Sequence, residues 1–166
     1  MTRTRIKICG FTRERDVEDA VNAGADAIGL NLYALSPRAV TPARAGELAR
    51  ALPPFVSPVL LFVNATPQEI DAALQEVPNA VLQFHGDESA AQCRAVGRPY
   101  LRAARMGEGF DLLDCAAQFH DAQALLLDAL VEGYGGGGKA FDWSTIPLGV
   151  PLPVVLSGGL HAANVI

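Results

Sequence analysis

Positive charge is scarce in this sequence. Thirteen Lys+Arg stand against eighteen Asp+Glu, a formal charge of −5, and only Lys7 and Lys139 are lysines. A nucleic-acid binder of this size would usually present a basic surface, so that class is set aside. Cysteine is scarce too. Cys9, Cys93 and Cys115 are odd in number and far apart, which excludes a disulfide framework. They also lack histidines at ligand spacing, so no metal is expected. Long apolar runs are missing: the strongest, Val59 to Val63, is strand-length, against the ~18 residues that a membrane helix needs. The start, Met1-Thr2-Arg3-Thr4-Arg5, leads straight into a strand pattern and carries no signal-peptide pattern. These absences predict a soluble cytoplasmic protein with free thiols and with neither nucleic acid nor membrane as partner.

What is present is a core. Half of the 166 residues are apolar and 19% are charged, enough to bury a sizeable interior in one domain, residues 1–166. Short apolar runs alternate with Ala-rich helical stretches. Strand patterns fall at 6–9, 27–33, 58–64, 80–85, 100–104, 124–128 and 154–157. Helical patterns fall at 13–23, 42–51, 67–76, 87–96 and 110–119. Thr41-Pro42 reads as an N-cap with proline in the first turn, and Thr66 with Glu69 as a capping box. Alternating βα units predict a parallel sheet, either open and doubly wound or closed as a (β/α)8 barrel.

Strand alternation separates the two. Arg5, Lys7 and Cys9 share one face of the first strand, and Ile6 and Ile8 the other. Val81, Gln83 and His85 oppose Leu82 and Phe84, and Leu126 and Asp128 oppose Leu125 and Leu127. A doubly wound sheet is apolar on both faces. One apolar and one mixed face predicts a TIM barrel, the apolar face toward the helices.

In a barrel the active site lies at the C-terminal ends of the strands, here at Cys9, Asn31, Asn64, His85, Asp128 and Ser157. Cys9 and Asp128 could form an acid–base pair, although a strand-end cysteine is often only a small core residue and such an aspartate a cap. Gly135–Gly138 and Gly158-Gly159 stand where backbone N–H groups can approach a phosphate, or form only a flexible loop and a tight turn. From the residues alone, a barrel enzyme for a phosphorylated small molecule is the furthest reading. Cys93 and Cys115 read as core thiols.

Eight motifs in order carry a resemblance. They are Lys7-Ile8-Cys9-Gly10, Gly24-Ala25-Asp26-Ala27-Ile28-Gly29, Ser36-Pro37-Arg38, Phe62-Val63-Asn64, Gln83-Phe84-His85-Gly86-Asp87-Glu88, Leu127-Asp128, Phe141-Asp142-Trp143, and Gly158-Gly159-Leu160 with Asn164-Val165. From residue 5 onward the chain resembles the phosphoribosylanthranilate isomerases of tryptophan biosynthesis. The resemblance implies an Amadori rearrangement without a cofactor, Cys9 as general base and Asp128 as general acid. It implies that Arg38 binds the anthranilate carboxylate, a planar anion that suits a guanidinium fork. Gly136, Gly138, Gly158 and Gly159 fall at the substrate-binding loops. Gly137 replaces the family's threonine, and Ser157 replaces an alanine and offers a hydroxyl toward phosphate. His85 reads as a supporting residue more than a catalytic one. The partner implied is a small phosphorylated substrate, and the enzyme a monomer.

Two other readings compete: a Schiff-base phosphosugar aldolase using Lys7, and a phosphate-binding barrel without catalysis. Length sets one more expectation. Eight βα units of ~25 residues need roughly 200 residues. The chain therefore holds about seven strands, lacks the eighth βα unit, and is expected to continue naturally by about 35–50 residues.

Overall fold

Strand-forming runs and capped helices alternate in the computed structural model, which describes residues 3–131, 134 and 138–165. Two compact units are present, Met1–Gln83 and Phe84–Ile166.

The first unit runs β1 (Lys7–Cys9), α1 (Glu14–Asn22), β2 (Ala27–Asn31), α2 (Pro42–Arg50), β3 (Ser57–Phe62) and α3 (Pro67–Glu76), and β4 (Val81–Phe84) crosses the division. β1 pairs with β2, and β2 with β3, all parallel, with Cys9 opposite Gly29 and Leu30 opposite Leu60. Ile28, Leu30, Leu48, Leu60, Phe62 and Leu82 are fully buried and form the core. The helix starts follow the sequence. The Thr41 hydroxyl accepts from the Arg44 N–H at 3.2 Å, and Pro42 opens α2 without needing a hydrogen bond of its own. Thr66 and Glu69 form the reciprocal capping box of α3.

β1 departs from expectation. Its apolar face was predicted to lie against helices, yet Ile6 and Ile8 are 47% and 40% exposed. A strand face is sheltered only where another element lies over it, and the described residues cover these two side chains only in part.

The second unit continues with α4 (Ala90–Ala95), β5 (Tyr100–Met106), α5 (Leu112–Gln118), β6 (Ala124–Ala129), a 3-10 turn (Trp143–Thr145) and β7 (Val154–Leu156). β5 pairs with β6, and β6 with β7, again parallel. Seven strands thus lie among the described residues. Both α4 and α5 begin later than their helical patterns at 87–96 and 110–119, because the caps decide. Ser89 and Gln92 form a capping box, and the Asp111 carboxylate accepts from the N–H groups of Leu113 and Asp114. β5 outlasts its pattern, since Arg105 and Met106 still pair with Asp128 and Ala129. All of β6 is buried, its Asp128-bearing face included.

Within each unit the paired strands follow chain order. A doubly wound sheet needs a reversal of order at a switch point, and neither unit has one.

Candidate active site

In the first unit the site begins at Cys9, the last residue of β1. Its neighbour across the pairing is Gly29, where a Cβ would collide with the Cys9 Sγ. The glycine therefore makes the room in which the thiol lies over β2. Gly10 follows with φ +95°, and its N–H donates to the Gly29 carbonyl at 2.8 Å. A Cβ on Gly10 would stand 2.6 Å from Arg38 Nη1. With that space open, Arg38 Nη1 donates to the Cys9 carbonyl at 3.0 Å.

Asn31 brings Arg38 there. Its Oδ1 accepts from the Tyr33 N–H at 2.9 Å, and its Nδ2 donates to Ser36 Oγ at 3.0 Å. Ser36 Oγ in turn accepts from the Arg38 N–H at 3.2 Å. Asn31 is thus a buried organiser of the Ser-Pro-Arg loop. The sequence placed it at a strand end without this role; the signal is its position five residues before a serine that can cap the loop.

In the second unit the site centres on Asp128, near the end of β6 and only 8% exposed. Its Oδ1 accepts from the Ala129 N–H at 3.0 Å, and its Oδ2 lies 3.2 Å from Nε2 of buried His85. His85 is therefore the direct partner of the candidate acid, which fits its reading as a supporting residue. Gly158, at φ +75°, packs against Asp128 so closely that a Cβ would collide with Oδ1. Gly159, at φ +63°, packs likewise against the backbone of Lys139 and Ala140. Gly138 has φ +64° with open space around it. Gly136, expected at the same loop, lies outside the described residues, as do Gly135 and Gly137.

Asn164 closes the turn after β7. It accepts from the His161 N–H at 2.8 Å and donates to the Gly159 carbonyl at 3.0 Å. The Ser157 hydroxyl is already used, donating to the Leu127 carbonyl at 2.8 Å. It secures β7 to β6 and does not point its proton toward an anion.

The remaining thiols belong to the interior. Cys93 is fully buried, and desolvation pushes its thiol up to about 11, so it stays protonated at neutral pH. Burial also raises the Cys115 thiol. Among the described residues no group of His, Cys, Asp and Glu could hold a metal ion. Nor is any described helix long and apolar enough to cross a membrane.

The structure thus assembles Cys9 with Arg38, and Asp128 with His85, Gly158 and Gly159. The chain as a whole is similar to known proteins. Residues 6–166 match the family model described as N-(5'phosphoribosyl)anthranilate (PRA) isomerase. A relative from Methylibium petroleiphilum, named N-(5'-phosphoribosyl)anthranilate isomerase, is 70% identical over 163 residues, 98% of this chain and 76% of the relative. The phosphoribosyl anthranilate isomerase of Thermotoga maritima superposes with a TM-score of 0.88 at 36% identity, covering 98% of this chain and 80% of its own. A phosphoribosyl anthranilate isomerase solved with reduced 1-(o-carboxyphenylamino)-1-deoxyribulose 5-phosphate superposes at 0.81 with 32% identity, covering 98% of this chain and 79% of its own. The fold class is accordingly α/β of the TIM-barrel type, with seven strands among the described residues. The family match over residues 6–166 and the 70% identity to a named relative lead to one assignment: the chain belongs to the N-(5'-phosphoribosyl)anthranilate isomerase family.

Proposed function

We propose that the chain converts N-(5-phosphoribosyl)anthranilate to 1-(o-carboxyphenylamino)-1-deoxyribulose 5-phosphate in tryptophan biosynthesis, with Asp128 as acid and Cys9 as base. Asp128 gives its proton to the furanose ring oxygen. The bond from C1′ to that oxygen breaks, and the nitrogen lone pair completes a protonated Schiff base. Cys9, as thiolate, takes the proton from C2′, and the electron pair moves through C1′ to nitrogen to give an enolamine. The enolamine gains a proton at C1′ and loses one from its hydroxyl, which leaves the ketone. Arg38 holds the anthranilate carboxylate, and Gly138, Gly158 and Gly159 contribute to the phosphate site, in which Gly136 also takes part.

One observation carries the assignment of the acid. Asp128 carries a buried carboxyl group with His85 at 3.2 Å and the backbone of Gly158 hard against it, at the strand end where substrate meets a barrel. Membership in an isomerase family leaves the aldolase and pure-binding readings without support. The family match runs through both compact units, which supports reading residues 1–166 as one domain. As part of the same proposal, the enzyme is a cytoplasmic monomer.

The test follows the fluorescence of the anthranilate adduct as it is consumed. Cys9→Ser and Asp128→Asn each lower kcat by about 10²–10⁴-fold, while circular dichroism keeps the wild-type spectrum. Near wild-type kcat in either variant overturns that residue's role. Light scattering at assay concentration checks the monomer.

A further inference from the structure

We propose that the buried Glu88–Arg102 ion pair is a positioning device for the acid: it grips the backbone on both sides of His85 and so sets the imidazole against Asp128. The inference rests on reading Asp128 as the acid.

Both partners are interior, Glu88 6% and Arg102 9% exposed. A buried ion pair is weak evidence of stabilisation, because desolvation offsets most of the attraction and an apolar pair of similar volume often does as well. Its contacts show a different use. Glu88 Oε2 accepts from Arg102 Nη1 at 2.9 Å and from the Gly86 N–H at 2.9 Å. Arg102 Nη2 donates to the Gly86 carbonyl at 3.0 Å, and Nη1 reaches the Phe84 carbonyl at 3.4 Å. The guanidinium lies over the Phe119 ring, 4.7 Å from the ring centre.

The Phe84 carbonyl belongs to the peptide plane before the His85 Cα, and the Gly86 N–H to the plane after it. Peptide units are planar, so holding both planes fixes the two soft torsions of His85 and with them the direction of its Cβ. From there Nε2 reaches Asp128 Oδ2 at 3.2 Å, across 43 positions of sequence. The acid's other oxygen is held by the Ala129 N–H. The Glu88–Arg102 pair contacts the backbone of Phe84 and Gly86 and the Phe119 ring, and through that backbone it acts on His85.

The experiment is a double-mutant cycle on the full chain. Glu88→Gln with Arg102→Met removes both charges and the grip on the Phe84 and Gly86 carbonyls, and His85→Asn removes the imidazole. In the wild-type background the Glu88→Gln, Arg102→Met double variant lowers kcat by about tenfold to a hundredfold, the cost of a misplaced group, with KM within about threefold. In the His85→Asn background the same change costs less than about threefold, because the path through His85 is already broken. Equal losses in both backgrounds, or a loss confined to KM, overturn the proposal. If the double variant does not fold, Glu88→Gln alone enters the same cycle, read by the same criterion of non-additivity.

A second readout does not depend on turnover. With 15N-labelled histidine, the ring signals of His85 shift in Glu88→Gln while those of His120 and His161 stay in place. An unmoved His85 signal overturns the positioning role even if the chain proves not to be an isomerase. A moved signal in a chain without isomerase activity sustains the device and rejects the acid assignment alone.

Discussion

Gly29 has no side chain because the Cys9 thiol occupies that space, and Gly158 has none because Asp128 occupies its own. These glycines are negative images of the residues proposed as base and acid. Two substitutions test this at the residue scale. Gly29→Ala drives a Cβ against the Cys9 thiol, Cβ and Cα, so kcat falls by about tenfold or more, as for a misplaced reacting group, and overpacking lowers stability by about 1–3 kcal/mol. Gly158→Ala pushes on Asp128 and also forces a side chain onto φ +75°, so it costs about 1–3 kcal/mol of stability as well as activity. A thermal melt beside the fluorescence assay separates the two effects. Wild-type activity in Gly29→Ala would show that the thiol's place does not matter. The sequence marked Cys9 and Asp128 at strand ends and the glycine pair at 158–159 after a strand, and the family resemblance added Arg38. It was silent on Asn31 as the organiser of the Arg38 loop and on Glu88 as the partner of Arg102, since neither role leaves a local pattern.

At the scale of elements, caps settle where helices begin. Thr41 and Thr66 were legible because the cap and its target lie within three residues of each other. Ser89 with Gln92 and Asp111 with Leu113 obey the same rule, but the helical pattern runs upstream past each cap, to Asp87 and to Phe110, and concealed them. Charge links the elements as well. Arg44 of α2 donates to Glu14 at the start of α1 with Nη2 to Oε2 at 2.8 Å, and to the Thr12 carbonyl at 3.0 Å. The Arg44 hydrogen bond holds the Glu14 carboxyl down at about 2, below its ordinary 4.5. A carboxyl depressed in the folded state adds stability above its unfolded value and loses it as pH falls through the folded one. Glu14→Gln therefore lowers Tm by a small amount at pH 7, and the gap to wild type narrows from about pH 4.5 down to about 2. The pair is exposed to water, so raised salt also narrows the gap. Thermal melts across pH and salt measure this, and a gap constant down to pH 2 would sink the linkage.

At the scale of the whole molecule, burial is uneven. Leu30 is fully buried on β2, whereas Ile8 on β1 is 40% exposed, although both are apolar residues on strands. Leu30→Ala is expected to cost about 2–5 kcal/mol, the range for emptying a packed site. Ile8→Thr is expected to cost within about 0.5 kcal/mol, as a surface change does. Urea unfolding of the two variants makes the comparison, and similar losses would refute it. By itself the sequence determined the alternation of βα units, the starts of α2 and α3, and the ends of the strands where Cys9 and Asp128 stand. Those follow from periods of two and 3.6 residues and from caps that act within one turn, all physics between near neighbours in the chain. Only the tertiary structure decided that Asp128 meets His85, that Gly29 lies beneath the thiol, that the Ser157 hydroxyl is taken by Leu127, and that Ile6 and Ile8 stay open. Those contacts depend on the register and packing of segments distant in sequence, where a shift of one residue turns every side chain to the opposite face.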